Sequence, residues 1–269
     1  MKSIKYLFFA LFFATSLSVF AQNPVDKDSI SMEFRPRITD ISFSVKGQNI
    51  WVDMGDGVFN EHEHQIADST NELTFSFKLR GMVVKIVGEP ITDFTYMYEQ
   101  VVDLDLRRCP SLKNLTLGCI VDSMDLSGNP NLERYVCNGC RFNKTQLLDL
   151  SHNPELLKLK LLQNPITALD VSKNIKLDTL FCEFTRIKKL DLSNNTMLSF
   201  IRLWNSYFSP QEFKSFLYSL PDNEIPGKKK ELLIINLYPL KIDWENGFIW
   251  NENEKVSFDK NILKKKKWQ

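Results

Sequence analysis

Residues that could do chemistry are few in this chain. Cys137-Asn138-Gly139-Cys140 has the spacing of a redox or metal motif. His62-Glu63-His64 puts two imidazoles on one face of an extended segment, with Asp53, Asp56 and Glu61 close in sequence. His62 and His64 are therefore weak metal candidates. Five aspartates recur at near-even spacing, Asp105, Asp125, Asp149, Asp170 and Asp191, and stacked carboxylates are a possible calcium column. Nothing else points to a reaction. There is no Gly-rich phosphate loop, no Gly-x-Ser-x-Gly, and none of His62, His64 and His152 sits beside a plausible nucleophile. The expectation is a non-enzymatic protein with no catalytic residues, no cofactor and no metal. With 33 acids, paired carboxylates stay open, and an unrecognised hydrolase is kept as a further alternative.

The elements that would position these residues follow from repetition. One phrase recurs at Leu104-Asp105-Leu106, Met124-Asp125-Leu126, Leu148-Asp149-Leu150, Leu169-Asp170-Val171 and Leu190-Asp191-Leu192, with steps of 20, 24, 21 and 21 residues. A second phrase recurs between these, from Leu112-x-x-Leu115-x-Leu117 to Leu198-x-x-Ile201-x-Leu203. A period of this size marks a solenoid whose units cannot bury their apolar faces alone. The two phrases lie eleven residues apart in register (Leu104 to Leu115), so each coil needs two flat sides joined by turns. Phe94 lies 21 residues before Leu115 and falls into the same register. The 24-residue step implies an insertion near 141–145.

Asn129, Asn153, Asn174 and Asn195 recur at one turn, and Cys140, Asn164, Thr185 and Ser206 at the other. Buried turns leave backbone groups that need such partners. The register also accounts for both cysteines of the Cys-x-x-Cys. Cys137 fills the inward position that Cys182 fills two coils later, and Cys140 fills the turn slot. Free buried thiols are the default expectation for the five cysteines, with a Cys119–Cys140 bridge between adjacent coils as the alternative.

These phrases, taken as a set, resemble the leucine-rich-repeat family, in particular secreted bacterial surface proteins of the internalin-like and BspA-like type. The resemblance implies a mainly β solenoid of roughly 21-residue coils, with two parallel sheets and short turns, closed by caps at both ends. It also implies that the recurring Asp is consensus, and hence structural or solvent-facing, and that the chain works in protein binding or adhesion.

The chain opens with Lys2 and Lys5, an apolar run from Tyr6 to Phe20, and Val19-Phe20-Ala21, which reads as a signal peptide over 1–21, cleaved after Ala21. Residues 22–35 read as a flexible leader. Alternation at Ile41, Phe43, Val45, Phe75 and Phe77, with turn residues at Asp53–Gly57, gives a β-rich N-terminal cap over 36–88. The repeats occupy 89–206. Residues 207–269 read as a C-terminal cap of helix, strand and short helix, with Ser209-Pro210-Gln211-Glu212 as a capping box. Without 1–21, 34 basic residues become 32 against 33 acidic ones, which gives no reason to expect nucleic acid or an anionic membrane. The expected location is the periplasm, the cell surface or the medium, with no membrane span in the processed chain.

In Leu-x-x-Leu-x-Leu the leucines point inward, so the intervening residues face solvent. Those columns hold Arg134, Lys158, Lys160, Leu162, Phe181, Phe184, Phe200, Arg202 and Trp204. Aromatic and basic side chains grouped on a surface are the usual anchors of interfaces. The expected binding residues are Arg134, Lys158, Lys160, Phe181, Phe200, Arg202 and Trp204. The partner is expected to be a host-matrix or cell-envelope protein. The alternative is a carbohydrate-binding envelope protein, since the same aromatic platform could stack on a glycan.

Overall fold

A computed structural model describes residues 27–36, 38–61, 65–67, 72–97, 101–119, 121, 124–140, 147–235 and 240–268. The expected signal peptide, the His62/His64 pair and the expected insertion near 141–145 lie outside the described residues. The strands run in chain order as β1 (Asp28–Phe34), β2 (Asp40–Gly47), β3 (Trp51–Asp53), β4 (Phe59–Glu61), β5 (Gln65–Ala67), β6 (Leu73–Lys78) and β7 (Val83–Gly88). The repeats add β8 (Ile91–Tyr96), β9 (Val101–Arg108), β10 (Asn114–Leu117), β11 (Arg134–Asn138), β12 (Leu147–Leu148), β13 (Lys158–Leu162), β14 (Ala168–Leu169), β15 (Thr179–Glu183) and β16 (Phe200–Trp204). Helix α1 (Pro210–Ser219), β17 (Glu231–Ile235), β18 (Lys241–Asp243), β19 (Phe248–Trp250), β20 (Lys255–Ser257) and α2 (Ile262–Lys265) follow.

The front phrase of each coil becomes one strand of a ten-stranded sheet, ordered β17-β16-β15-β13-β11-β10-β8-β2-β6-β5. From β8 to β17 the strands are parallel, and each inward residue stacks on its equivalent one coil away: Phe94, Leu115, Tyr135, Leu159, Leu180, Ile201 and Leu232. The second inward column is Tyr96, Leu117, Cys137, Leu161, Cys182, Leu203 and Ile234. Through Ile201 and Leu203 both columns are buried, and each such Leu adds about 1.5–3 kcal/mol over its exposed state. On the back of the solenoid the ladder is shorter. Only β12 and β14 pair in parallel there among the described residues, two residues long.

The front sheet does not stop where the sequence period stops. Phe200 pairs with Glu231, a register step of 31 residues, and α1 occupies the place of a back phrase. Ser209 caps that helix by accepting from the Glu212 N–H at 3.1 Å, with Pro210 at the first turn. Its buried face, Phe213, Phe216 and Leu217, meets Phe208 at ring separations of 5.8 Å. The final strand is followed by more than a short helix. β18, β19 and β20 form an antiparallel sheet, which three-residue strands are too short to announce by periodicity. Trp268 is anchored at the end, its indole N–H donating to the Pro221 carbonyl at 2.9 Å.

Asp28–Phe34 corrects the expectation of a flexible leader. It is a strand, paired antiparallel with β7 on one side and β9 on the other, with Ile30, Met32 and Phe34 buried. It sits in a five-stranded sheet, β4-β3-β7-β1-β9, opposite the N-terminal end of the front sheet. Because β9 carries the first Leu-Asp-Leu phrase, the N-terminal strands share a ladder with the first coil. Phe34 of β1 meets Tyr96 of β8 across the two layers at 6.1 Å, while within the front sheet Phe43 stacks on Phe75 at 5.2 Å and touches Phe94 at 6.1 Å. The turn after β3 is built on Asp53, whose Oδ1 accepts from the Gly55 and Gly57 N–H groups, both at 2.9 Å. Gly55 has φ +105°, and a Cβ on Gly81 would lie 1.9 Å from the Gly55 carbonyl oxygen, so neither position admits a side chain.

The turns are held by side chains. Each asparagine of the column reaches back one coil: Asn174 Nδ2 donates to the Leu150 and Asn153 carbonyls at 3.0 and 2.8 Å, and Asn195 to Val171 and Asn174, both at 2.9 Å. Asn129 and Asn153 do the same, and all four are wholly buried. At the Leu-Asp-Leu phrase, each Asp Oδ1 accepts from the backbone N–H two residues on, at 2.9–3.0 Å. The aspartate column is thus a column of turns, and the resemblance's structural role for it has a geometric cause.

Candidate functional site

Parallel register with a two-residue period determines which side chains share the outer face of the front sheet. One outward column reads Arg134, Lys158, Thr179, Phe200, Glu231; the next reads Val136, Lys160, Phe181, Arg202, Leu233. A third reads Asn138, Leu162, Glu183, Trp204. All seven expected binding residues therefore stand on one face. Arg134 and Lys158 are direct neighbours, as are Lys160 and Phe181, and Phe181 and Arg202.

The aromatic part is assembled in the free chain. Phe181 and Phe200 lie 5.3 Å apart between ring centroids. Lys160 Nζ stands 4.5 Å from the Phe181 centroid, and the Arg202 guanidinium is 5.9 Å from Phe181 and 5.6 Å from Trp204. Cations over ring faces at these separations are attracted by the ring quadrupole, by about 0.5–1 kcal/mol where exposed. Glu183 fixes the guanidinium from below, 3.1 Å from Arg202 Nε. This contact is an ion pair and not an aligned hydrogen bond, since the Nε–H does not point at the carboxylate.

Charge on the face is uneven. Arg134 and Lys158 are exposed and form no ion pair among the described residues. Three acids near the face are engaged by cations, Glu133 with Lys113 at 3.0 Å, Glu183 with Arg202, and Asp178 with Lys228 at 2.7 Å, whereas Glu231, exposed beside Phe200 at the edge, forms no ion pair among the described residues. Burial pushes the Asp178 carboxyl up, but Lys228 and the Ser199 hydroxyl outweigh it and hold it below its ordinary value. The centre of the face is left basic and aromatic.

Two residues stand differently from expectation. Phe184 is not in a sheet column: it follows β15 in the left-handed region, φ +53°, with its ring 4.9 Å from Trp204. Glu183 was missed, because an acid at an outward position carries no sign of being buried and paired with an arginine one column over on the next coil. Cys137 and Cys140 hold the inward and turn positions expected, but they are joined as a disulfide rather than left as free thiols. A short loop within one coil can close that bond because the strand ends at Asn138 and Gly139 turns with φ +70°. Cys119 remains a free buried thiol, so it has no bridge to Cys140.

Chemically the face can adhere but shows no reacting pair. The Ser151 hydroxyl lies 3.2 Å from His152 Nδ1, yet both sit in an exposed turn with no enclosing cleft. Among the described residues no three His, Cys, Asp or Glu side chains gather as a metal set. Among them, too, no helix is long and apolar enough to cross a membrane.

No protein-family model matches the chain, and no curated protein matches it. Among solved structures it is similar to the functional domain of InlJ from Listeria monocytogenes, which includes a cysteine ladder. The two are 23% identical with a TM-score of 0.45, over 65% of this chain and 33% of that one. The chain thus spans about a third of that structure's length. The coil architecture stands on this chain's own registers, from Phe94 opposite Leu115 to Ile201 opposite Leu232. It is a leucine-rich-repeat-like solenoid.

Proposed function

We propose that the protein is a non-enzymatic binding module, exported through removal of residues 1–21, that holds a protein partner against the front sheet. It acts in the periplasm, at the cell surface or in the medium, on a host-matrix or cell-envelope component. In this reading 36–88 and 207–269 close the ends of the repeat stack. The observation that carries it is the pre-ordered cluster of Phe181, Phe200, Arg202 and Trp204 over buried Glu183. Side chains already fixed lose little entropy on docking, and Trp, Phe and Arg are the residues that most often dominate interface energies. Arg134 and Lys158 beside them, which form no ion pair among the described residues, favour a partner surface that is acidic.

A glycan on the same cluster is the weaker reading. A sugar ring would need the open faces of Phe181 and Trp204, and Lys160 and Arg202 stand over them.

The test is binding of the purified chain to immobilised matrix and envelope proteins, with the Phe200→Ala/Trp204→Ala variant in parallel. An interaction that weakens in this variant, and in Arg134→Glu/Lys158→Glu, supports the reading. An interaction that survives both variants removes the site from this face.

A further inference from the structure

At the ends of β11, β13, β15 and β16 the chain turns through one left-handed residue: Gly139 (φ +70°), Gln163 (+55°), Phe184 (+53°) and Asn205 (+55°). Glycine and asparagine adopt this region readily, whereas for a bulky aromatic it is strained. Core packing does not explain the aromatic, since Phe184 is 41% exposed. Strain of this kind, held by the surrounding structure, is a signature of functional positions.

Phe184 forms one wall of a groove of about 500 Å³ on the rim of the solenoid, beside the front face. That is within the range of small-ligand sites, about 300–1,000 Å³. Tyr207, 48% exposed, supplies a second aromatic surface, and Gln163 and Asn205 supply amides. Thr185 is wholly buried in the lining, and its hydroxyl has no hydrogen-bond partner. Arg186 is exposed, makes no ion pair among the described residues, and no acidic side chain lines the groove.

We propose that this rim groove is a saccharide subsite for a sugar ring that carries a carboxylate. Phe184 and Tyr207 provide apolar surface for the C–H face of the ring. The Gln163 and Asn205 amides each offer a donor and an acceptor to ring hydroxyls. Arg186 pairs with the carboxylate, for which a guanidinium fork is suited. A carboxylate is the ligand group that uses the Arg186 charge, which a neutral sugar would leave to water. The subsite does not depend on the front-face reading, because Phe184 only abuts Trp204 from outside that cluster.

The experiment is titration of the full chain with oligogalacturonate and hyaluronan oligosaccharides, and with their carboxyl-reduced counterparts, by calorimetry. At least one acidic oligosaccharide should bind, and its reduced counterpart should bind at least about tenfold more weakly. Phe184→Asn should lose at least about threefold to tenfold in affinity, while its thermal midpoint stays the same or rises because Asn suits the left-handed turn. Arg186→Gln should abolish the preference for the acidic sugar. Phe200→Ala, on the front face, should leave the sugar affinity unchanged. Absence of binding to every acidic oligosaccharide, or equal binding of the reduced forms, overturns the proposal. So does a Phe184→Asn variant that melts lower with its affinity intact, since the ring would then be structural.

Discussion

Glu183 lies beneath Arg202 across the β15–β16 pair, with its side chain 7% exposed against 30% for the arginine. The two partners are therefore not equivalent. Without Glu183 the guanidinium can turn to water; without Arg202 the carboxylate stays enclosed and unpaired. Arg202→Ala should destabilise the chain by roughly 2–3 kcal/mol, and Glu183→Gln by about 1 kcal/mol or less. Urea unfolding followed by tryptophan fluorescence measures both. Equal losses would mean that the carboxylate is better solvated than its burial indicates.

The asparagine column predicts a position-specific weakness. Asn174 is an interior rung: its amide serves the Leu150 and Asn153 carbonyls, and its own carbonyl receives Asn195. Asn174→Ala removes one of two donors from each of these carbonyls, which keep the Asn153 and Leu156 backbone N–H groups, at a cost of about 1–3 kcal/mol for the two lost bonds. Asn174→Asp should be no better at neutral pH, since a carboxylate cannot donate. The surface change Asn194→Asp one coil on is the control and should stay within about 0.5 kcal/mol of the parent. A mild Asn174→Asp would show that water reaches the turn.

Much of this was readable because a solenoid converts sequence period directly into neighbourhood. Once Phe94 is placed opposite Leu115, the two-residue alternation puts Lys160, Phe181 and Arg202 in one row without further information. What stayed hidden depends on contacts that the period does not encode. The ion pair of Glu183 needs the reach of Arg202 from the next coil, and the turn at Phe184 needs φ, which an aromatic gives no reason to expect. β1 is a different failure: Ile30, Met32 and Phe34 alternate with Ser29, Ser31 and Glu33 plainly enough. Its position just after the expected cleavage site makes a leader the simpler reading, and its partners β7 and β9 lie at least 49 residues further along the chain (Phe34 to Val83).

The cysteines give a chemical count. Cys109, Cys119 and Cys182 are buried free thiols, and burial raises all three, Cys119 to about 12. The thiolate is the reactive form, so an alkylating reagent at pH 8 should label none of the three in the folded chain. Denaturation without reductant should expose three, and denaturation with reductant five. Mass spectrometry of the labelled chain reads this directly. Five labels without reductant would mean that Cys137 and Cys140 are not bonded.

The aspartate column should make the fold sensitive to acid. The Arg107 guanidinium lowers the Asp105 carboxyl, and serine donors two residues on lower Asp125, Asp149, Asp170 and Asp191, all from an ordinary 3.8. A carboxyl lowered on folding adds stability that is complete above its unfolded value and is lost as pH falls through its folded one. Stability should then be level above about pH 5 and fall increasingly below about pH 4. Each group faces water, so each single effect is small, and the column is read as a sum. Asparagine keeps the oxygen that accepts the turn N–H but does not titrate. The variant with Asp125, Asp149, Asp170 and Asp191 all changed to Asn should fold at pH 7 with a shallower acid limb in urea midpoint against pH. An unchanged limb would place the acid sensitivity elsewhere, with Asp178 and its Lys228 partner the next pair to replace.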